Sequence, residues 1–142
     1  MIDLPPEPAD EEQRLVELRL FSVLDTEPDE EYDRLVELAS IVCGTPMATL
    51  TFVDADRQWH KARVGVPLSE TPRRLSLCAH AILDSNRFVE IGDTSSVQWF
   101  DPFIYGKERL PVGFYAAMPL KTRDGSAIGT LCVMDHTPRA LT

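Results

Sequence analysis

No stretch of this 142-residue sequence approaches the roughly 20 consecutive apolar residues that a bilayer-spanning helix needs. The opening MIDLPPEPADEE lacks the cationic start and apolar centre of a secretory leader. A soluble, cytoplasmic chain without direct membrane contact is therefore expected. Cysteine is scarce. Cys43, Cys78 and Cys132 are odd in number, far apart and without a C-x-x-C pair, which argues against a disulfide framework and fits reduced thiols. Histidine is equally scarce, and His60, His80 and His136 are not at metal-ligand spacing. Asp54-x-Asp56 lacks the glycine and distal glutamate of a calcium loop, so no metal is expected. A clustered cationic surface is also missing. Residues 1–37 hold 13 of the 23 acids against only Arg14, Arg19 and Arg34, while the remainder balances 10 acids with 11 bases. That argues against nucleic acid as a partner and makes the acidic segment a solvated helix face and tail.

What is present suits one domain with one core, at 44% hydrophobic content. Residues 1–10 read as a disordered acidic lead and 11–142 as a single domain. A helix is predicted over 11–24. A second follows a capping box at Thr26 and Asp29, with Pro28 tolerated in its first turn. Tyr32, Leu35, Val36, Ala39, Val42 and Cys43 form its apolar stripe, and Gly44 and Pro46 end it. The period then changes. Strands are predicted over 47–53 and 58–64 around a turn at 54–57, followed by a loop at 65–72. Ser76 caps a short helix over 77–83, with a further strand at 88–91. Residues 94–111 show no strong period and hold Trp99, Phe100, Phe103 and Tyr105. Two strands, 113–122 and 127–135, close the chain as a hairpin. Helices first and hairpin-joined strands after indicate an α+β fold with a central antiparallel sheet. The N-terminal helices would cover one face. The short helix and the aromatic loop would roof a pocket on the other.

The stretch 57–83, RQWHKARVGVPLSETPRRLSLCAHAIL, carries most of the candidate chemistry. Cys78 falls in a helical first turn near Arg73 and Arg74, where a thiolate is favoured; the plainer reading is a small buried side chain packed on the pocket. His80 is about 200° round the helix from Cys78, so the two do not form a dyad. His80 shares a face with Ser76 and either lines the pocket or bonds locally. Trp59, Lys61 and Arg63 alternate onto one strand face, giving either an anion-tolerant rim or cationic stems covering Trp59. Trp99 and Phe103 are read as a lid over a flat ligand or as staples fixing the loop. On the last hairpin, Phe114 and Tyr115 point to opposite faces, and the pattern leaves open which one meets the pocket. The candidate pocket residues are Trp59, Cys78, His80, Trp99, Phe103, Phe114, Tyr115 and Cys132. No catalytic residue is assigned.

An ordered set of short pieces is similar to a known family. They are Leu24-Asp25-Thr26 with Glu30-Glu31-Tyr32-Asp33, Val53-Asp54 with Arg57-Gln58-Trp59, and Arg63-Val64-Gly65. Then come Glu70-Thr71-Pro72-Arg73, Cys78-Ala79-His80-Ala81-Ile82, Phe114-Tyr115-Ala116 with Pro119-Leu120, and Gly129-Thr130-Leu131-Cys132-Val133-Met134-Asp135. Across residues 14–139 the chain resembles a GAF domain of the type N-terminal in bacterial sensor histidine kinases and diguanylate cyclases. The resemblance implies a PAS-related, five- to six-stranded antiparallel sheet with a ligand pocket on its front. It also implies dimerisation through terminal helices and an output domain in two-component or cyclic-di-GMP signalling. Some relatives attach a bilin at a Cys-His dipeptide, but Ala79 separates Cys78 from His80, so no bilin and no other cofactor is expected. Such domains continue into a C-terminal signalling helix; here the chain stops at Thr142, a residue suited to cap one. The expectation is a sensory small-molecule-binding module, homodimeric, and not itself an enzyme, with catalysis left to a histidine kinase or diguanylate cyclase output. The alternatives are a thiol-dependent enzyme of the free methionine sulfoxide reductase type and a ligand-free dimerisation scaffold.

Overall fold

The computed structural model describes residues 6–141. Residues 1–5 of the acidic lead, and Thr142 with its reading as a helix cap, lie outside the described residues. Within the lead, Pro8 is buried and Asp10 accepts a hydrogen bond from Ser126 Oγ at 2.8 Å.

Helix α1 (Glu11–Leu20) stops four residues before the sequence reading, because Ser22 and Asp25 take left-handed conformations, φ 51° and 61°, which end a right-handed helix. Helix α2 (Glu30–Cys43) is capped by Asp29, whose side chain accepts from Glu31 N at 2.9 Å. Thr26 takes no part in that cap; its hydroxyl donates to the Val23 carbonyl. Gly44, at φ 65°, ends α2 in the region where glycine is least strained.

Six strands follow: β1 (Met47–Val53), β2 (Arg57–Val64), β3 (Glu70–Pro72), β4 (Val89–Ile91), β5 (Phe114–Lys121) and β6 (Ala127–Asp135). They form one antiparallel sheet in the order β3-β2-β1-β6-β5-β4. The short β3 lies inside the stretch read as a loop. Helix α3 (Leu77–Ala81) is also shorter than expected. The architecture is the α+β arrangement the sequence implied, with α1 and α2 behind the sheet and α3 and the 92–113 loop in front.

Every residue of β1 is buried, so its two faces serve two cores. The back core joins Leu18 and Val36 of the helices to Leu50, Trp59, Phe114 and Val133. The front core joins Leu77 and Ile82 to Val53, Phe100, Tyr115 and Met134. The register fixes two special positions. At Gly129, opposite Phe52, a Cβ would come within 2.0 Å of the Thr51 carbonyl oxygen, so only glycine lets β6 lie against β1. Between Leu50 and Thr51 the β1–β2 register slips, pairing Ala62 and His60 and leaving Lys61 unpaired, a bulge.

An ionic clamp ties the two sides together at the sheet's end. Arg14 is fully buried; it donates to the Val53 carbonyl at 2.6 Å and to the Glu11 carboxylate at 2.9 and 3.0 Å. Arg73, in the 3₁₀ turn before α3, grips the same carboxylate at 2.7 and 3.1 Å and the Asp54 carbonyl at 3.0 Å. Burial pushes the Glu11 acid up, but the bonds from Arg73 and Arg14 outweigh it and hold its pKa at about 2.

Candidate functional site

The front of the sheet encloses a cavity between β1, β2, β5 and β6 below and α3 with the 92–113 loop above. Thr49, His60, Cys132 and Tyr115 rise from the strands; Cys78, Phe100 and Tyr105 come down from the roof. The free space is about 20 Å³, room for about one water, which needs roughly 10–15 Å³. Its walls carry hydroxyl, amide, thiol and imidazole groups but no carboxylate, ammonium or guanidinium.

Strand parity places a polar thread across this floor. Thr49 and Thr51 of β1 face the front, opposite Cys132 and Thr130 of β6. Thr49 Oγ1 is 2.8 Å from Cys132 Sγ and 2.6 Å from Thr51 Oγ1, which is 2.8 Å from His60 Nδ1. Above it, Cys78 Sγ accepts from Tyr115 OH at 3.1 Å and from Thr130 Oγ1 at 3.2 Å, and both thiols line the same cavity. The Cys132 thiol, then the burial that opposes it, then the Thr130 and Tyr115 hydroxyls set the Cys78 thiol; the donors win and hold it below the ordinary thiol range. Cys132, beside Cys78 and buried, is pushed up.

Each hydroxyl has a single proton, so the thread runs in one direction throughout and its direction sets the His60 tautomer. His60 Nε2 closes its far end. It is buried without a partner, and His60 lines the cavity. Burial, with Arg63 nearby, lowers the His60 pKa to about 4, so the ring is neutral. Beside it, Gln58 is spent on Thr71 and Ser76.

The structure divides the eight sequence candidates. Cys78, Tyr115 and Cys132 meet in the cavity. His80 and Trp99 stack on each other, centroids 4.5 Å apart, and do not line the cavity; burial lowers the His80 pKa. Phe103 is exposed. Trp59 and Phe114 belong to the back core, a correction: β2 and β5 turn those residues behind the sheet. Trp59 instead borders an open cleft of about 620 Å³ beside Lys61 and Arg63. Asp33 and Glu37 face the same cleft, and Lys61 is committed to Thr26 Oγ1 and the Glu27 carbonyl, so its charge is not free for an anion. The helical first turn is not what favours the Cys78 thiolate, since α3 has five residues; the side-chain donors do that work. Thr49, Thr51, Thr130 and the role of His60 were missed. Their signal was parity with Cys132, readable once the register is known. Among the described residues no cluster of side chains could hold a metal ion, and no helix is long and apolar enough to cross a membrane.

Comparison with known proteins agrees with this architecture. A family model described as GAF domain matches residues 27–142. The chain is 36% identical over 137 residues to the cyclic di-GMP phosphodiesterase PA2567 of Pseudomonas aeruginosa, an alignment covering 95% of this chain but 23% of that protein's length. Among solved structures, the GAF domain of the Acinetobacter phosphoenolpyruvate-protein phosphotransferase superposes with TM-score 0.64 at 14% identity, covering 94% of this chain and 82% of that one. A free methionine-R-sulfoxide reductase from Neisseria meningitidis superposes with TM-score 0.63 at 17% identity, covering 100% and 85%; both are likenesses of fold. The phosphodiesterase overturns one expectation. The chain was read as no enzyme, its output a histidine kinase or diguanylate cyclase, yet its 36% identical relative is an enzyme of a different kind.

Proposed function

The chain belongs to the GAF domain family, a sensory module of signal transduction, and on that premise we propose that its front cavity is the sensing site. The signal would act on cyclic di-GMP phosphodiesterase activity in the same or a partner polypeptide, as the similarity to PA2567 suggests. The observation that carries the reading is His60, which lines a roofed cavity and whose Nε2 is a buried polar atom without a partner. Such an atom costs free energy unless something fills its bond. The ligand class is therefore a small uncharged molecule with a hydrogen-bonding group. Anything larger than about one water must lift the roof, where Phe100 and Tyr105 fill the space. A ligand that orders the 92–113 loop biases the domain only by the difference in its affinity for the open and closed states.

Binding is expected to raise the melting temperature in proportion to ligand excess. A thermal-shift series over small uncharged polar metabolites tests it; a flat response throughout sinks the reading. We also propose a cytoplasmic homodimer. Helix α2 leaves Leu38, Ile41 and Val42 at 57%, 76% and 74% exposure, an apolar stripe suited to a second copy. Light scattering that finds only monomer at micromolar concentration would remove the dimer without touching the sensing site.

A further inference from the structure

Two buried thiols on different elements share the cavity. Cys78 hangs from α3, Cys132 rises from β6, and both are almost wholly buried. Nothing in packing requires the company they keep. Two hydroxyl donors converge on Cys78 Sγ, from Tyr115 and Thr130, an arrangement that favours a thiolate over a thiol. Behind Cys132 runs the Thr49–Thr51–His60 thread. At its far end His60 Nε2 is buried without a partner.

We infer that Cys78 and Cys132 form a peroxide-responsive dithiol, oxidised in place by hydrogen peroxide or a comparably small hydroperoxide. The inference rests on the cavity being the sensing site and gives that site a chemistry. Cys78 is the attacking sulfur. Its thiolate forms an S–O bond as the O–O bond breaks, and the departing hydroxide takes up the proton Cys78 gave away, leaving as water. The Cys78 sulfenic acid is then resolved by Cys132: the S–S bond forms, the S–O bond breaks, and the hydroxyl leaves as a second water with the Cys132 proton. Two thiols are oxidised to one disulfide and one peroxide is reduced to two waters.

The walls select the oxidant. A space of about 20 Å³ with no charged side chain admits a small neutral solute and shuts out glutathione disulfide and aromatic disulfides. The new bond joins the roof to the floor, fixing α3 to β6.

The test uses the full chain, reduced and freed of reductant, then exposed to hydrogen peroxide and mapped by mass spectrometry. The expected product is a Cys78–Cys132 link with the loss of two hydrogens, reversed by dithiothreitol. An aromatic disulfide reagent should label the partly exposed Cys43 and leave the pair unmodified in the folded chain. In Cys132→Ser the link is lost and a Cys78 sulfenic acid accumulates, trapped by dimedone. Both thiols remaining free while Cys43 oxidises would overturn the inference, as would Cys78 passing to sulfonic acid without linking. The wild-type map needs no variant to fold. A metabolite that raises the melting temperature without any link would defeat this inference and leave the sensing site standing. A link with no thermal shift from any metabolite would do the reverse.

Discussion

Phe114 and Tyr115 are neighbours on β5, equally buried, with opposite surroundings. Phe114 enters the back core, which it shares with Leu18, Val36, Leu50 and Val133. Tyr115 enters the front, where its hydroxyl donates to a thiol beside threonines, an imidazole and a cavity. The two faces of the sheet divide the labour. The centre of the back core is apolar, with its polar groups, Arg14 and the Glu17 carboxylate, and the cleft beside Trp59 at its margin, so its stability is mainly the hydrophobic contribution of large side chains. The front accepts polar atoms, an unfilled bond and free space, all of which cost stability and are kept where a site needs them.

The sharpest break of this comparison is Phe114→Ala, expected to cost about 4 kcal/mol through lost burial and a residual cavity, against about 1 kcal/mol for Tyr115→Phe, which removes a single hydrogen bond. Urea denaturation of the pair measures it, and equal losses would erase the distinction. Next is Glu11→Ala, which strands two arginines and should cost about 3 kcal/mol, with the sodium chloride dependence of stability separating this from simple helix loss.

Above about pH 5 acid should act chiefly on the front; below that the Glu11 clamp, held at about 2 against 4.5, loses stability as well. His60 has a folded pKa of about 4, below its unfolded value of 6.5, so the unfolded chain binds the proton first as pH falls. Stability from this group is complete above pH 6.5 and declines toward pH 4, by about 3 kcal/mol in all. Denaturation midpoints across that range should fall in the wild type and stay flatter in His60→Asn. Smallest is the roof. Trp99→Ala removes the stack on His80 and should cost about 1 kcal/mol, whereas Phe103→Ala, already exposed, should stay within about 0.5 kcal/mol.

The layering was legible because α2 carries apolar residues at helical spacing, of which Val36, Ala39 and Cys43 pack behind the sheet while Tyr32, Leu35 and Val42 stay exposed, and because the last hairpin has a clean turn at 123–126. The facing of single residues was not. Strands buried on both sides carry no polar alternation, so nothing in Phe114-Tyr115-Ala116-Ala117 announces which parity meets the cavity. The β2 bulge compounds this. Trp59, Lys61 and Arg63 look coplanar in a regular strand, but the unpaired Lys61 breaks the alternation. The thread was invisible for another reason: threonine is ordinary in strands, and Thr49, Thr51 and Thr130 gain meaning only when β1 and β6 are laid side by side. Nor did an acidic N-terminal helix disclose that Glu11 and Arg14 are among its most committed side chains.

The clamp at Glu11 has one more consequence. Helix α1 lies behind the sheet and α3 in front, with the full thickness of β1 between them, yet Arg14 and Arg73 hold one carboxylate in common. The carboxylate works as a rivet through the rim. Arg73 joins the turn before α3 to the first residue of α1 round the edge of the sheet, so roof and N-terminal helix are tied without passing through the packed interior.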